Sequence, residues 1–223
     1  PPSRTIGQET LLPGIDLALN LFAQLKSSGL SPSVITYNIL ISGCSRSENS
    51  LQVLDFVREM EERGLSPSKV TYTILINFFV KWNNMEKALE VLSYMKRTNL
   101  AADVCTYGVL INGWCNQGNM KEASKLFKTM GEMKVEPNDV VYNTMIYGYC
   151  REGSSYEALK MLREMVEKGL MPNVASYNMT IQILCGDGKW EVARNLLASM
   201  IKSGLEPSSN LPILCTKQDP SIS

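Results

Sequence analysis

An all-α array of stacked helix-turn-helix units is the fold class this sequence predicts, and three observations carry it. First, a tyrosine recurs at Tyr37, Tyr72, Tyr107, Tyr142 and Tyr177, every 35 residues and without insertion; a period of ~20–50 residues marks a solenoid or an array. Second, other columns keep the same phase: Ile41, Ile76, Ile111, Ile146 and Ile181; Met60, Met95, Met130, Met165 and Met200; and Ala88, Ala123, Ala158 and Ala193, with Val53 in the remaining unit. Third, each unit is punctuated. Gly118, Gly153 and Gly188 interrupt its middle, while Gly64, Gly169 and Gly204 precede a closing Pro67, Pro172 or Pro207, the usual order of a left-handed helix stop and a residue that forbids continuation.

The elements follow in order. Residues 1–33 form a degenerate or partial unit: Ile15 to Leu25 has apolar residues at helical spacing and ends in Gly29-Leu30-Ser31-Pro32, the second half of a unit, whereas two prolines and a glycine make a helix over 1–12 doubtful. Five full units then occupy 34–68, 69–103, 104–138, 139–173 and 174–208, with Pro at the penultimate position except for Ala102 in the second. Within a unit, positions 2–13 predict helix A and positions 17–30 predict helix B. Neither helix hides its apolar stripe alone, so each unit depends on its neighbours for a core. Residues 209–223, with Pro212 and Pro220, read as a capping start and a tail.

Composition narrows the function classes. Twenty-two basic and 22 acidic residues leave no net charge, which argues for neither a polyanion nor a membrane surface as partner. There is no run of 18 apolar residues of the kind a spanning helix needs. Histidine is absent, which excludes Ser-His-Asp and Cys-His catalysis and the commonest general base. The chain begins at Pro1-Pro2-Ser3 without Met, as expected of a fragment or a mature form. Cys115, Cys150 and Cys185 share one unit position on an apolar helix face, with no CxxC pair or acid cluster beside them. They are expected to be free, buried small hydrophobes in a reducing compartment. Neither a cofactor, a metal site nor an enzymatic activity is indicated.

Charge separates the two helices. Over positions 2–13 helix A carries only Arg46, Lys81 and Arg151, whereas helix B holds most of the charges. Helix B is therefore the solvated outer layer. Helix A faces core or a concave surface, and its few recurrent polar positions are where a ligand would be read.

The 35-residue period, Val34-Ile35-Thr36-Tyr37-Asn38 at the start of a unit, Gly148-Tyr149-Cys150-Arg151, Glu157-Ala158 at the start of helix B, and Gly169-Leu170-Met171-Pro172 at the end resemble the pentatricopeptide repeat family, in its P-type subclass. The resemblance covers 34–208 as full repeats and 13–33 as half of one. It implies a right-handed superhelical solenoid that binds single-stranded RNA at one base per repeat. It also implies a setting in plant mitochondria or chloroplasts, the mitochondrion slightly preferred, and a role as an adaptor in RNA processing, splicing, stability or translation. Other proteins of an organellar ribonucleoprotein are further expected partners, and a membrane is not. The alternative is a protein-interaction solenoid, a structural part of a ribonucleoprotein such as an organellar ribosome. Even charge and a broken column of cations favour that alternative.

Three sets of positions are assigned to the RNA. Base reading falls to position 5 with position 35: Asn38 with Ser68, Thr73 with Asp103, Gly108 with Asn138, Asn143 with Asn173, and Asn178 with Ser208. Short amides and hydroxyls there suit the Watson–Crick edge of a splayed base. Asn is a poor helix former, so its recurrence at position 5 calls for a ligand or a buried partner. The position-35 residues are also preferred N-caps, worth about 1 kcal/mol each, so capping and base selection share them. Ile35, Val70, Cys105, Val140 and Ala175 at position 2 would sandwich the bases. Arg46, Lys81 and Arg151 at position 13 are assigned to phosphates, although a cation at a helix end also interacts with the helix dipole. The column is broken by Asn116 and Gly186. The tyrosines at position 4 are assigned to the core. By the family's pairing of positions 5 and 35, the target is 5′-C-G-N-Y-C-3′, with the Gly108 repeat permissive because glycine has no side chain to offer a base.

Overall fold

The computed structural model describes residues 13–45 and 50–208. The doubtful helix over 1–12, Arg46, and the cap and tail over 209–223 lie outside the described residues. Among the described residues there are eleven α-helices and no strand: α1 (Pro13–Ser27), α2 (Val34–Cys44), α3 (Ser50–Glu62), α4 (Lys69–Lys81), α5 (Met85–Arg97), α6 (Val104–Asn116), α7 (Met120–Glu132), α8 (Asp139–Glu152), α9 (Ser155–Glu167), α10 (Val174–Gly186) and α11 (Trp190–Lys202). They fall into two compact units, residues 1–102 with α1–α5 and residues 103–223 with α6–α11.

Local chemistry sets where each helix begins. The first helix of each repeat starts one residue earlier than expected, because the preceding polar residue caps it. Ser33 and Ser68 accept from the amides of Thr36 and Thr71 and close a reciprocal capping box. Asp103, Asn138 and Asn173 do the same for Thr106, Val141 and Ser176 without the return bond.

The ends are set by backbone handedness. Gly118, Gly153 and Gly188 between the paired helices have φ of 73°, 81° and 72°, and Gly64, Gly169 and Gly204 after the second helix have 74°, 73° and 76°. Asn83, Asn99 and Lys134 hold the same conformation at φ 57–58° where no glycine is present. The geometry is therefore general, and glycine is only its cheapest occupant.

Within each unit the packing follows one rule. The two helices of a repeat pack on each other (α2 on α3, α4 on α5, α6 on α7, α8 on α9, α10 on α11), first helices stack on first helices (α2 on α4, α6 on α8, α8 on α10), and three second helices touch the next first helix (α1 on α2, α7 on α8, α9 on α10). The recurrent columns fill the space between. All five tyrosines of position 4 are buried, as are the Ile, Met and small-residue columns. Alanine in the second helix is fully buried at Ala88, Ala123, Ala158 and Ala193, where a larger side chain would hold the helix pair apart. The Tyr142 hydroxyl donates to Glu164 Oε1 at 2.7 Å; burial, together with the nearby carboxylate, raises its phenol above its usual range.

Among the cysteines one expectation needs correction. Cys44, Cys115 and Cys150 are buried thiols outside any disulfide, but Cys185, also buried, is disulfide-bonded. Periodicity assigned it the role of its column-mates, and a covalent bond at one repeat leaves no periodic trace.

Candidate nucleic-acid interface

The candidate surface is built on one exposed stripe of each first helix. Residues at positions 9 and 13 each lie within about 20° of position 2, one to either side, around a helix of 3.6 residues per turn, and position 5 lies beside them. In the first unit Ile35 and Val70 are 70% and 55% exposed, and in the second unit Val140 is 62% exposed, with Cys105 and Ala175 also exposed. Apolar side chains on the first turn of a helix, backed by a full core and yet left in solvent, are the residues the sequence assigns to base sandwiching.

In the first unit these residues line an open cleft of about 830 Å³. Its lining includes Ile35, Val70, Asn38 and Ser68, two apolar walls and two polar groups, and it extends to Ile15 and Ala18 of α1. All four residues expected to hold the first base are therefore at one cleft. Thr73 belongs to the first unit, where its hydroxyl donates to Lys69 O, and Asp103 to the second, where it caps α6.

The asparagines of position 5 have protein partners that the sequence reading did not identify. Asn38 Oδ1 accepts from Thr71 Oγ1 at 2.7 Å. Asn143 Oδ1 accepts from Ser176 Oγ at 2.7 Å and from the Asn173 amide at 3.3 Å. Asn178, only 8% exposed, accepts from the Ser208 amide at 3.4 Å. A backbone N–H only donates, so the oxygens of Asn143 and Asn178 must face it, which leaves each carboxamide NH2 as the unengaged group. Asn138 and Asn173 are oriented the same way by the amides they cap.

Position 5 is thus tied to position 35 and to position 3 of the following repeat. At Asn38 and Asn143 the residue 33 on, at position 3 of the next repeat, is a hydroxyl, Thr71 or Ser176. Where it is Gly108 the next position 3 is Val141, whose Cγ2 would lie 3.4 Å from an added Cβ. That spacing was the available signal for Thr71 and Ser176.

Of the position-13 cations, Lys81 ends α4 and Arg151 lies in the last turn of α8, both exposed; Arg46 is outside the described residues. Arg151 lies over the ring of Tyr147, 5.7 Å from its centroid. The described residues hold no group of three or more His, Cys, Asp or Glu suited to a metal, and no helix long and apolar enough to cross a membrane.

A model of the PPR repeat family matches residues 14–46, 34–81, 75–116, 102–151 and 137–186, and a PPR repeat model matches 175–205. Among solved structures, the pentatricopeptide repeat protein PPR10 from maize is similar over 88% of this chain and 28% of its own, at 29% identity and a TM-score of 0.63. PPR10 in complex with an 18-nt psaJ RNA element is similar over 82% of this chain and 27% of its own, at 27% identity and a TM-score of 0.70. The PPR domain of Arabidopsis thaliana protein-only RNase P 1, in complex with tRNA, shares the fold over 76% of this chain and 90% of that domain, at 19% identity and a TM-score of 0.64. The chain thus spans about 28% of the length of PPR10. None of the curated proteins compared by sequence matches it.

Proposed function

Because the chain belongs to the pentatricopeptide repeat family, we propose that it binds single-stranded RNA, one base per repeat, through positions 5 and 35, and acts as an organellar adaptor in RNA processing, splicing, stability or translation. The observation that carries the reading is the cleft of the first unit, where Ile35 and Val70 flank Asn38 and Ser68. An apolar slot with polar groups at its edge accepts a base by stacking and reads it by hydrogen bonds.

Side-chain orientation supports a base preference. Asn143 and Asn173 both spend their oxygen on the protein, so each offers a donor. Two donors match the two acceptors on the Watson–Crick edge of either pyrimidine. Gly108 offers nothing, and its repeat is permissive. The target remains 5′-C-G-N-Y-C-3′.

Three position-13 cations, Arg46, Lys81 and Arg151, give a salt slope of only about −2 for a single strand. Recognition therefore leans on stacking and base edges more than on charge. The test is selection from a random RNA pool on the full chain. Enrichment of C-G-N-Y-C, weakened modestly by salt, is the expected result. No enriched motif, together with salt-insensitive capture of a protein partner, supports the alternative of a protein-interaction solenoid.

A further inference from the structure

Arg151 is the only cation at position 13 in the second unit, since Asn116 and Gly186 occupy the flanking repeats. It has no carboxylate partner among the described residues. What holds it is the Tyr147 ring, one helical turn earlier, at 5.7 Å from the guanidinium carbon to the centroid. Tyr147 is 41% exposed, although the tyrosine at position 4 of every repeat is buried. Its ring therefore has a different use from the core tyrosines.

The surroundings indicate that use. Val140, Tyr147 and Arg151 form one exposed stripe along α8, with Tyr147 about 10 Å and Arg151 about 16 Å along the axis from Val140 at a rise of 1.5 Å per residue. The equivalent position 9 carries Asn112 on α6 and Gln182 on α10, both exposed and both without a side-chain hydrogen bond among the described residues. A Cβ added at Gly186 would meet nothing within 4 Å, so the space beside Arg151 is open. An exposed ring flanked by unengaged amides and fixed under an unpaired guanidinium is suited to an anionic, hydrogen-bonding chain.

We propose that Tyr147, in a row along the exposed face of the second unit's first helices, is what positions Arg151, the side chain the sequence already assigns to phosphate. Arg151 touches phosphate. Tyr147 is its positioning residue: the cation–π contact holds the guanidinium in place before binding, and less side-chain freedom is lost when the phosphate arrives. Asn112 and Gln182 extend the row on either side. The inference rests on the reading of the protein as an RNA binder.

The test uses the full chain and a 5′-labelled RNA decamer carrying CGAUC, with affinity measured over a range of salt. Arg151→Ala should weaken binding about tenfold, the loss of one charge-assisted hydrogen bond, and make the log-log salt slope shallower by about 0.7. Tyr147→Ala keeps the charge, yet should reproduce both effects in part. Tyr147→Phe should behave as the parent, and Tyr147→Ala with Arg151→Ala should be no weaker than Arg151→Ala alone. Unaltered thermal melts of the variants separate a binding effect from misfolding. If Tyr147→Ala leaves affinity and slope unchanged while Arg151→Ala alters them, the ring does not position the cation and the inference is overturned. If the parent chain does not bind the decamer at any salt concentration, the RNA reading itself fails and the inference falls with it.

Discussion

At the scale of single residues, the site is a set of groups whose hydrogen bonds are already half assigned. Asn143 shows this best: its oxygen ties two repeats together through Ser176 and the Asn173 amide, and its NH2 is the unengaged group that the proposed base reading would use. One residue thus serves stacking and reading at once, which is why assigning it to either role from sequence alone leaves the other out. The cysteines give a direct probe of the surface. Burial pushes the Cys115 thiol up to about 12 and Cys150 to about 11, so at pH 8 both are neutral thiols, shielded and unreactive. Cys105, free and exposed at a proposed base-sandwiching position, should be alkylated by iodoacetamide in the folded protein while Cys44, Cys115 and Cys150 are not. Bound RNA should slow the Cys105 reaction severalfold. Mass spectrometry of the labelled chain checks both statements, and equal labelling of Cys105 with and without RNA counts against a base at that position.

At the scale of the helix, each repeat is defined by where its helices stop. The left-handed residue after the second helix is Gly64, Gly169 or Gly204 in three repeats but Asn99 and Lys134 in the others, all with φ between 57° and 76°. A lysine there bears a steric cost that glycine does not, partly offset by the entropy glycine loses on folding. Lys134→Gly is therefore expected to stabilise the protein by about 0.5–1 kcal/mol, seen as a higher midpoint in urea without a change in slope. A lower midpoint would mean that the lysine side chain makes contacts worth more than the strain it relieves. These boundaries were legible from the sequence because glycine and proline mark them wherever they occur. Asn83, Asn99 and Lys134 were not legible as left-handed residues in themselves; only the phase of the repeat points to them. The first helices start one residue earlier than periodicity places them: apolar spacing sets the helix body but not its first turn, and the capping bond of the polar residue at position 35 draws position 1 into the helix.

At the scale of the whole molecule, the repeat columns made the all-α repeat fold and its core readable before any coordinates. Tyr107, Ile111, Ala123 and Met130 are buried as their periodicity requires. Contacts that join different columns were less accessible: the Asn-to-hydroxyl pairing between successive repeats spans 33 residues, and the disulfide of Cys185 breaks the period altogether. The same contrast holds for function. The fold follows from apolar spacing, whereas the proposed selectivity would depend on a few polar atoms whose orientation is set by neighbours in the next repeat.

The most direct test of base reading exchanges one such residue. Thr73→Asn alters position 5 of the second repeat while leaving Asp103 in place. Dissociation constants of the parent and the variant are measured on two decamers that differ only at the second base, CGAUC and CUAUC. The parent is expected to prefer G and the variant to shift its preference towards U. Indifference of both proteins to that base, or an identical preference in the two, would contradict the assignment of positions 5 and 35 as the reading pair.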